Sequence, residues 1–233
     1  MLVGLALAFF AQSAVAQDTK IGVLNALQAL FNSDAAQVVQ TELEQEFAAD
    51  DTALGRQLNQ VARIIKANQE TLGSERDAFF VQLGGFDLHT DLTEVFAQKL
   101  TEVDAALASF EAEMRLQGLW DNVTVVQASE FGRTLTCNGL GTDHAWGGNV
   151  FLYGGSIRGG RVHGRYPSDL TEAGDYNIGR GRLLPTTPWE SLWHAVAQWF
   201  GVEDGDDMAT VLPNLNNFPS DEWLKETDVF KKY

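Results

Sequence analysis

Two short apolar runs bracket one long amphipathic stretch, and that order limits the folds open to this chain. Residues 78–83 form an apolar run of strand length that stops at Gly84 and Gly85. Its length and the glycine stop predict a buried strand. Apolar side chains then recur at Leu92, Phe96, Leu100, Val103, Leu107, Phe110 and Met114. Steps of three and four predict one helix over 92–116, with Gly118 as its stop. Residues 123–128 are rich in β-branched side chains and read as a second strand. A strand, a helix of about seven turns and a strand predict a βαβ unit. Its two strands would be parallel neighbours with a right-handed crossover.

The flanks add elements without a composition break, so 17–233 reads as a single domain. Helices are predicted at 25–48 and 52–67, from apolar stripes that include Leu27, Leu30 and Phe31, then Leu54, Leu58, Val61 and Ile65. The acidic side chains of 42–51 are most simply a solvated face. Strands are predicted at 149–153 and 161–163, followed by a long Gly/Arg/Pro-rich loop to Pro188. Helices at 189–200 and 206–211 close the chain before a polar, aromatic tail.

The ends and the composition bound the function. Residues 2–10 are almost wholly apolar and precede Ala14-Val15-Ala16, a small-x-small pattern. Residues 1–16 therefore read as a secretory signal peptide, which implies a secreted or periplasmic protein. The other reading is an internal apolar helix exposed as a new start by a truncated gene model. The run is too short for a stable membrane span. The chain has 233 residues, 45% of them hydrophobic, which is too apolar for a disordered chain. Its net charge of −16 argues against nucleic acid or an anionic membrane as the main partner. One cysteine excludes an internal disulfide.

Ligands of open parallel sheets bind beyond the carboxyl ends of the strands. The first strand delivers Gly84 to His89, with Asp87 and His89. The second delivers Ser129 to Thr134, with Glu130 and Arg133. The loop before the next strand carries Asp143 and His144 between glycines. Carboxylates and imidazoles converging on one edge suit a divalent ion, so Asp87, His89, Glu130, Asp143 and His144 are the candidate metal ligands. Each has a plain alternative: Asp87 could cap the following helix, Glu130 could pair with Arg133, and His89 and His144 could be ordinary loop residues. Between Arg133 and Arg182 lie six arginines and four acids, a local charge of +2. Arginine is the bidentate partner of phosphate, sulfate and carboxylate. Arg133 stands nearest the carboxylates in sequence and is the candidate catalytic cation. Cys137, His163 and His194 read as structural, and residues 203–207 as a helix cap.

These residues also carry a family likeness. The stretches 54–58, 84–89, 121–124, 129–134, 141–148, 154–160 and 179–187 resemble the family called domain of unknown function 1501, within the alkaline-phosphatase/sulfatase superfamily. That resemblance implies an α/β fold with a mostly parallel sheet and helices on both faces. It also implies a two-metal site: Asp87, His89 and His144 would serve one ion and Glu130 the other. Many superfamily members have Asp-His where this chain has Glu130-Phe131. The early strand with an Asp ligand, and the nucleophile after it, have no counterpart here, so the chain corresponds to the C-terminal part of such a protein. The implied activity is metal-dependent hydrolysis of phosphate or sulfate esters. The ion would be Zn, Mn, Mg or Ca, and the ligand a small anionic ester or a sulfated or phosphorylated glycan. The alternative is a non-catalytic protein that binds a metal or an anionic glycan, or a fragment without activity.

Overall fold

A computed structural model describes residues 4–13, 19–20 and 51–232. The helix predicted at 25–48 lies outside the described residues. The main sheet is built from β1 (Gly4–Ser13), β2 (Thr19–Lys20), β3 (Asp77–Gly84), β4 (Val123–Ser129) and β7 (Phe151–Gly154). A hairpin of β5 (Gly132–Cys137) and β6 (Thr142–Ala145) stands apart from it.

The sheet corrects the expected fold. β1 lies between β3 and β4 and is antiparallel to both, β7 is antiparallel to β4, and the β5–β6 hairpin is antiparallel. No described pairing is parallel, so the mostly parallel, alkaline-phosphatase-like sheet with helices on both faces is not formed. The two strands of the expected βαβ unit are not neighbours either. The apolar run read as the core of a leader supplies the strand between them.

Local chemistry explains the helices. α1 (Ala53–Ala67) starts where the Thr52 hydroxyl accepts from the Gly55 amide at 3.0 Å, an N-cap bond. It buries Leu54, Leu58, Val61 and Ile65 along one stripe. α2 (Leu92–Leu116) ends in a Schellman motif: Gly118 is left-handed at φ 71°, its amide bonds to Arg115 O and the Leu119 amide to Met114 O. Only its second half is deeply packed, through Ala106, Phe110 and Met114. Phe96 and Leu100, which belong to the same predicted stripe, stand exposed.

β3 alternates: Phe79, Val81 and Leu83 are buried, while Phe80 and Gln82 face out. The buried set joins α1, α2, Val123 and Val125 in the larger core. β4 is buried along 123–126, which is why it reads as a continuous apolar run. Val126 joins a second core with Ala195, Val196 and Trp199 of α3 (Trp189–Trp199) and with Val229 and Phe230. α4 (Asp206–Val211) and α5 (Glu226–Val229) follow. Residues 161–163 form no strand.

Two further expectations change. Residues 203–207 do not cap the helix at 206–211 with a side chain, because the N-cap of α4 is Gly205. Asp204 instead meets Nε2 of the buried His194 at 3.0 Å, and the other ring nitrogen of His194 lies 2.8 Å from Leu224 O. That histidine fastens the tail to α3. Among the described residues no helix is long and apolar enough to cross a membrane.

Candidate metal centre

The sheet register places the site. Gly84 of β3 lies opposite Gly4, and Ser129 of β4 opposite Leu5. Both strands therefore end at the same edge, one strand apart, and their following segments meet beyond it. From β3 come Asp87 and His89. From β4 comes the β5–β6 hairpin, which carries Arg133 and His144 paired across its strands. Gly141 makes the approach possible: a Cβ there would lie 2.5 Å from the His89 carbonyl carbon and from Leu88 O. The Thr142 amide donates to Leu88 O at 3.1 Å, pinning hairpin to loop.

Three side chains converge. Asp87 Oδ1 is 3.0 Å from His89 Nε2 and 2.9 Å from His144 Nε2, and the two imidazole nitrogens are 3.1 Å apart. Together they are the one trio of potential ligand atoms found among the described residues. Metal bonds of about 2.1 Å at right angles would put ligand atoms about 3.0 Å apart, and at the tetrahedral angle usual for Zn²⁺ about 3.4 Å apart, so the triangle has the size of one face of an octahedral shell and would open slightly around a tetrahedral ion. The donor set, two imidazoles and one carboxylate, suits Zn, Mn or Fe better than Ca or Mg, which prefer all-oxygen shells.

Asp143 stands behind this triangle rather than in it. Its Oδ1 is 3.4 Å from His89 Nδ1, and its Oδ2 takes Arg180 Nη2 at 2.5 Å. Asn138 Nδ2 donates to it at 3.1 Å. A carboxylate on the far ring nitrogen fixes a histidine's tautomer and leaves Nε2 free to bind. Asn138, then Arg180, with help from His89, hold Asp143 below the usual carboxylate range against the opposing effect of desolvation. Glu130 is exposed at the turn after β4, outside the trio.

Arg133 is tied into the scaffold. Its Nε donates to Thr142 Oγ1 at 3.0 Å and its Nη2 to Leu88 O at 2.7 Å. It also donates to the Thr142 carbonyl and to Asp87 Oδ1. Desolvation pushes Asp87 upward, but the bonds from Arg133 and His144 and the charges of both histidines outweigh it, leaving the carboxyl below its ordinary value. Phe131 stacks on His144 with ring centroids 3.9 Å apart and planes 20° apart. Asp87 makes no helix cap: the N-cap of α2 is Asp91, in a left-handed conformation.

Sequence reasoning did not single out Phe131, Asn138 or Arg180. For Arg180 a signal existed. It is flanked by Gly179 and Gly181, and all three have positive φ, so the glycines mark a turn that aims one arginine at Asp143. For Phe131 and Asn138 the sequence holds no comparable mark.

The sequence matches the family described as protein of unknown function (DUF1501) over residues 8–180. The chain belongs to this family. The matched span includes the trio, Asp143, Arg133 and Arg180. No curated protein and no solved structure matches the chain.

Proposed function

We propose that this DUF1501 member binds one divalent ion through Asp87, His89 and His144, and acts as a metal-dependent hydrolase of phosphate or sulfate esters, of the alkaline-phosphatase/sulfatase type. The observation that carries the reading is the triangle of ligand atoms at 2.9–3.1 Å. When bound, the ion would supply Lewis-acid polarisation of an ester oxygen and a more acidic water. The protein's part is to hold the donors. Asp143 sets the ring of His89, Phe131 fixes the plane of His144, and Arg133 orients Asp87. The geometry favours a positioning role for Arg133, since its donors are already engaged. It also favours a single ion, with Zn or Mn ahead of Mg or Ca.

A second reading, metal or anionic-glycan binding without turnover, is favoured by the openness of the site. The side chains of Asp87, His89 and His144 are 34%, 47% and 44% exposed, whereas hydrolytic sites gain from excluding water. One experiment separates the two. The full chain is purified, its metal content measured, and aryl phosphate and aryl sulfate hydrolysis assayed with and without chelator. Bound metal with chelator-sensitive turnover supports hydrolysis, bound metal without turnover supports metal binding, and no metal overturns hydrolysis and metal binding alike. Export to the periplasm or medium is a separate proposal, tested by sequencing the N-terminus of the natural protein.

A further inference from the structure

Six arginines lie between residues 133 and 182, and the structure divides them. Arg133 and Arg180 serve the candidate metal centre. Arg165 Nη2 donates to the Tyr176 hydroxyl at 2.7 Å, and Arg182 Nη1 reaches Gly179 O at 3.4 Å. Arg158 and Arg161 remain, and among the described residues neither guanidinium has an acceptor. Both line a groove of about 650 Å³ together with His163, Val162, Leu224 and Asp228. None of these belongs to the trio.

The groove has a fixed wall. The Arg158 amide donates to Val229 O at 2.9 Å and the Lys231 amide to Ser156 O at 2.8 Å, with an antiparallel bridge from Ile157 to Phe230. Ile157 and Phe230 are buried. Gly160 and Gly164 both take left-handed φ, at 69° and 81°, and a side chain at Gly164 would strike Thr187. The loop bearing the arginines is thus bent by glycines and stitched to the tail at its start. The facing carboxylate is Asp228, whose Oδ2 accepts the Lys225 amide at 2.8 Å in a helix cap. Burial and the neighbouring Arg161 hold His163 below its ordinary value, against the pull of Asp228, so a neutral imidazole can add a hydrogen bond beside the two cations.

In a chain of charge −16, two guanidiniums in one groove with no acceptor among the described residues leave their forked donors open to an oxyanion from solution. We propose that Arg158, Arg161 and His163 bind a tetrahedral oxyanion, the phosphate or sulfate group of a small ester, at a site separate from the metal centre. Val162 and Leu224 supply apolar wall for the rest of the ligand.

The test uses the full chain with 1,10-phenanthroline, an uncharged chelator, so that no ion at the trio can hold the anion. Inorganic phosphate, inorganic sulfate and glucose 6-phosphate are titrated by calorimetry at low ionic strength. Saturable binding is expected, weakened about tenfold or more in Arg158→Ala and in Arg161→Ala. It should be unchanged in Arg56→Ala, which removes an exposed arginine paired with Asp51. Tighter binding of the sugar ester would identify an esterified group as the ligand. Amide chemical shifts of the unaltered chain give a readout that needs no variant, with Gly159, Gly160 and Gly164 expected to move. Absence of saturable binding, equal loss in Arg56→Ala, or shifts confined to other segments would overturn the site.

Discussion

The tautomer of His89 decides what the trio can hold. When its ring is neutral with the proton on Nδ1, beside Asp143, the Nε2 lone pair faces the Asp87 carboxylate 3.0 Å away. Two lone pairs at that distance repel unless a proton or a cation lies between them. This predicts an ordered series in metal content. His89→Ala and His144→Ala should abolish stoichiometric metal, and Asp143→Asn should weaken affinity about 10–100-fold. Glu130→Ala should leave metal content unchanged. Loss of metal in Glu130→Ala alone would show that the ion sits elsewhere. The meeting of Asp87, His89 and His144 was legible in the sequence in so far as β3 and β4 end at one edge, although the same reasoning also gathered Glu130, which stands outside the trio. The rank of the donors was not legible. Asp143 and His144 are adjacent in sequence, and only the turn of β6 sends one to the ion position and the other behind His89.

Asp77 gives the residue scale its pH dependence. Burial pushes its carboxyl above the ordinary value, with bonds from Ser74 and Asn68 opposing. A raised carboxyl costs nothing below the unfolded value of about 3.9, where both states are protonated. As pH rises through the folded value, the native state must ionise a buried group and stability falls. The stability of the native chain relative to Asp77→Asn should therefore be highest near pH 4 and decline toward neutrality. Urea unfolding of both chains across that range checks the sign, and a flat difference would refute it.

At the scale of elements, the hairpin is the part that assembles the centre. Gly141→Ala places a methyl 2.5 Å from the His89 backbone. The clash is with main chain, so the hairpin or the loop must move. We expect loss of bound metal with the far-UV circular dichroism spectrum retained, which separates this variant from one that unfolds. The hairpin itself escaped sequence reading. Leu135, Thr136 and Cys137 are all exposed, so β5 lacks the alternation that marks a half-buried strand. α3 was legible within a residue because its apolar face is buried, and α4 was placed at its bounds although it buries only Met208. The role of His194 was not, because its partners come from Asp204 and Leu224. His194→Ala removes the buried ring from Leu224 O and from the exposed Asp204, which Gln198 Nε2 still reaches, so the cost is that of one unsatisfied buried group, about 1–3 kcal/mol. Early proteolysis of the tail should report it.

At the scale of the whole molecule, direction of pairing is what periodicity cannot supply. The runs at 78–83 and 123–128 were found, yet a run's apolar pattern is the same whether its neighbour is parallel or antiparallel. Residues 4–13 pose the sharper case. An unbroken apolar segment reads alike as the core of a leader and as a strand buried on both faces. In the structure it pairs with β3 over eight positions and with β4 over seven. Those residues cannot both be removed by a peptidase and close this sheet. Without them β3 and β4 would each expose a row of unpaired backbone groups beside the larger core, a template for aggregation. We therefore expect a chain starting at Gln17 to lose its cooperative thermal transition and precipitate, while the full chain melts as one unit. The metal centre should fail with it, because Asp87 and the hairpin meet only while β3 and β4 are held one strand apart. A cooperative transition within a few degrees of the full chain, with bound metal retained, would show instead that the strand is dispensable and that the leader reading stands.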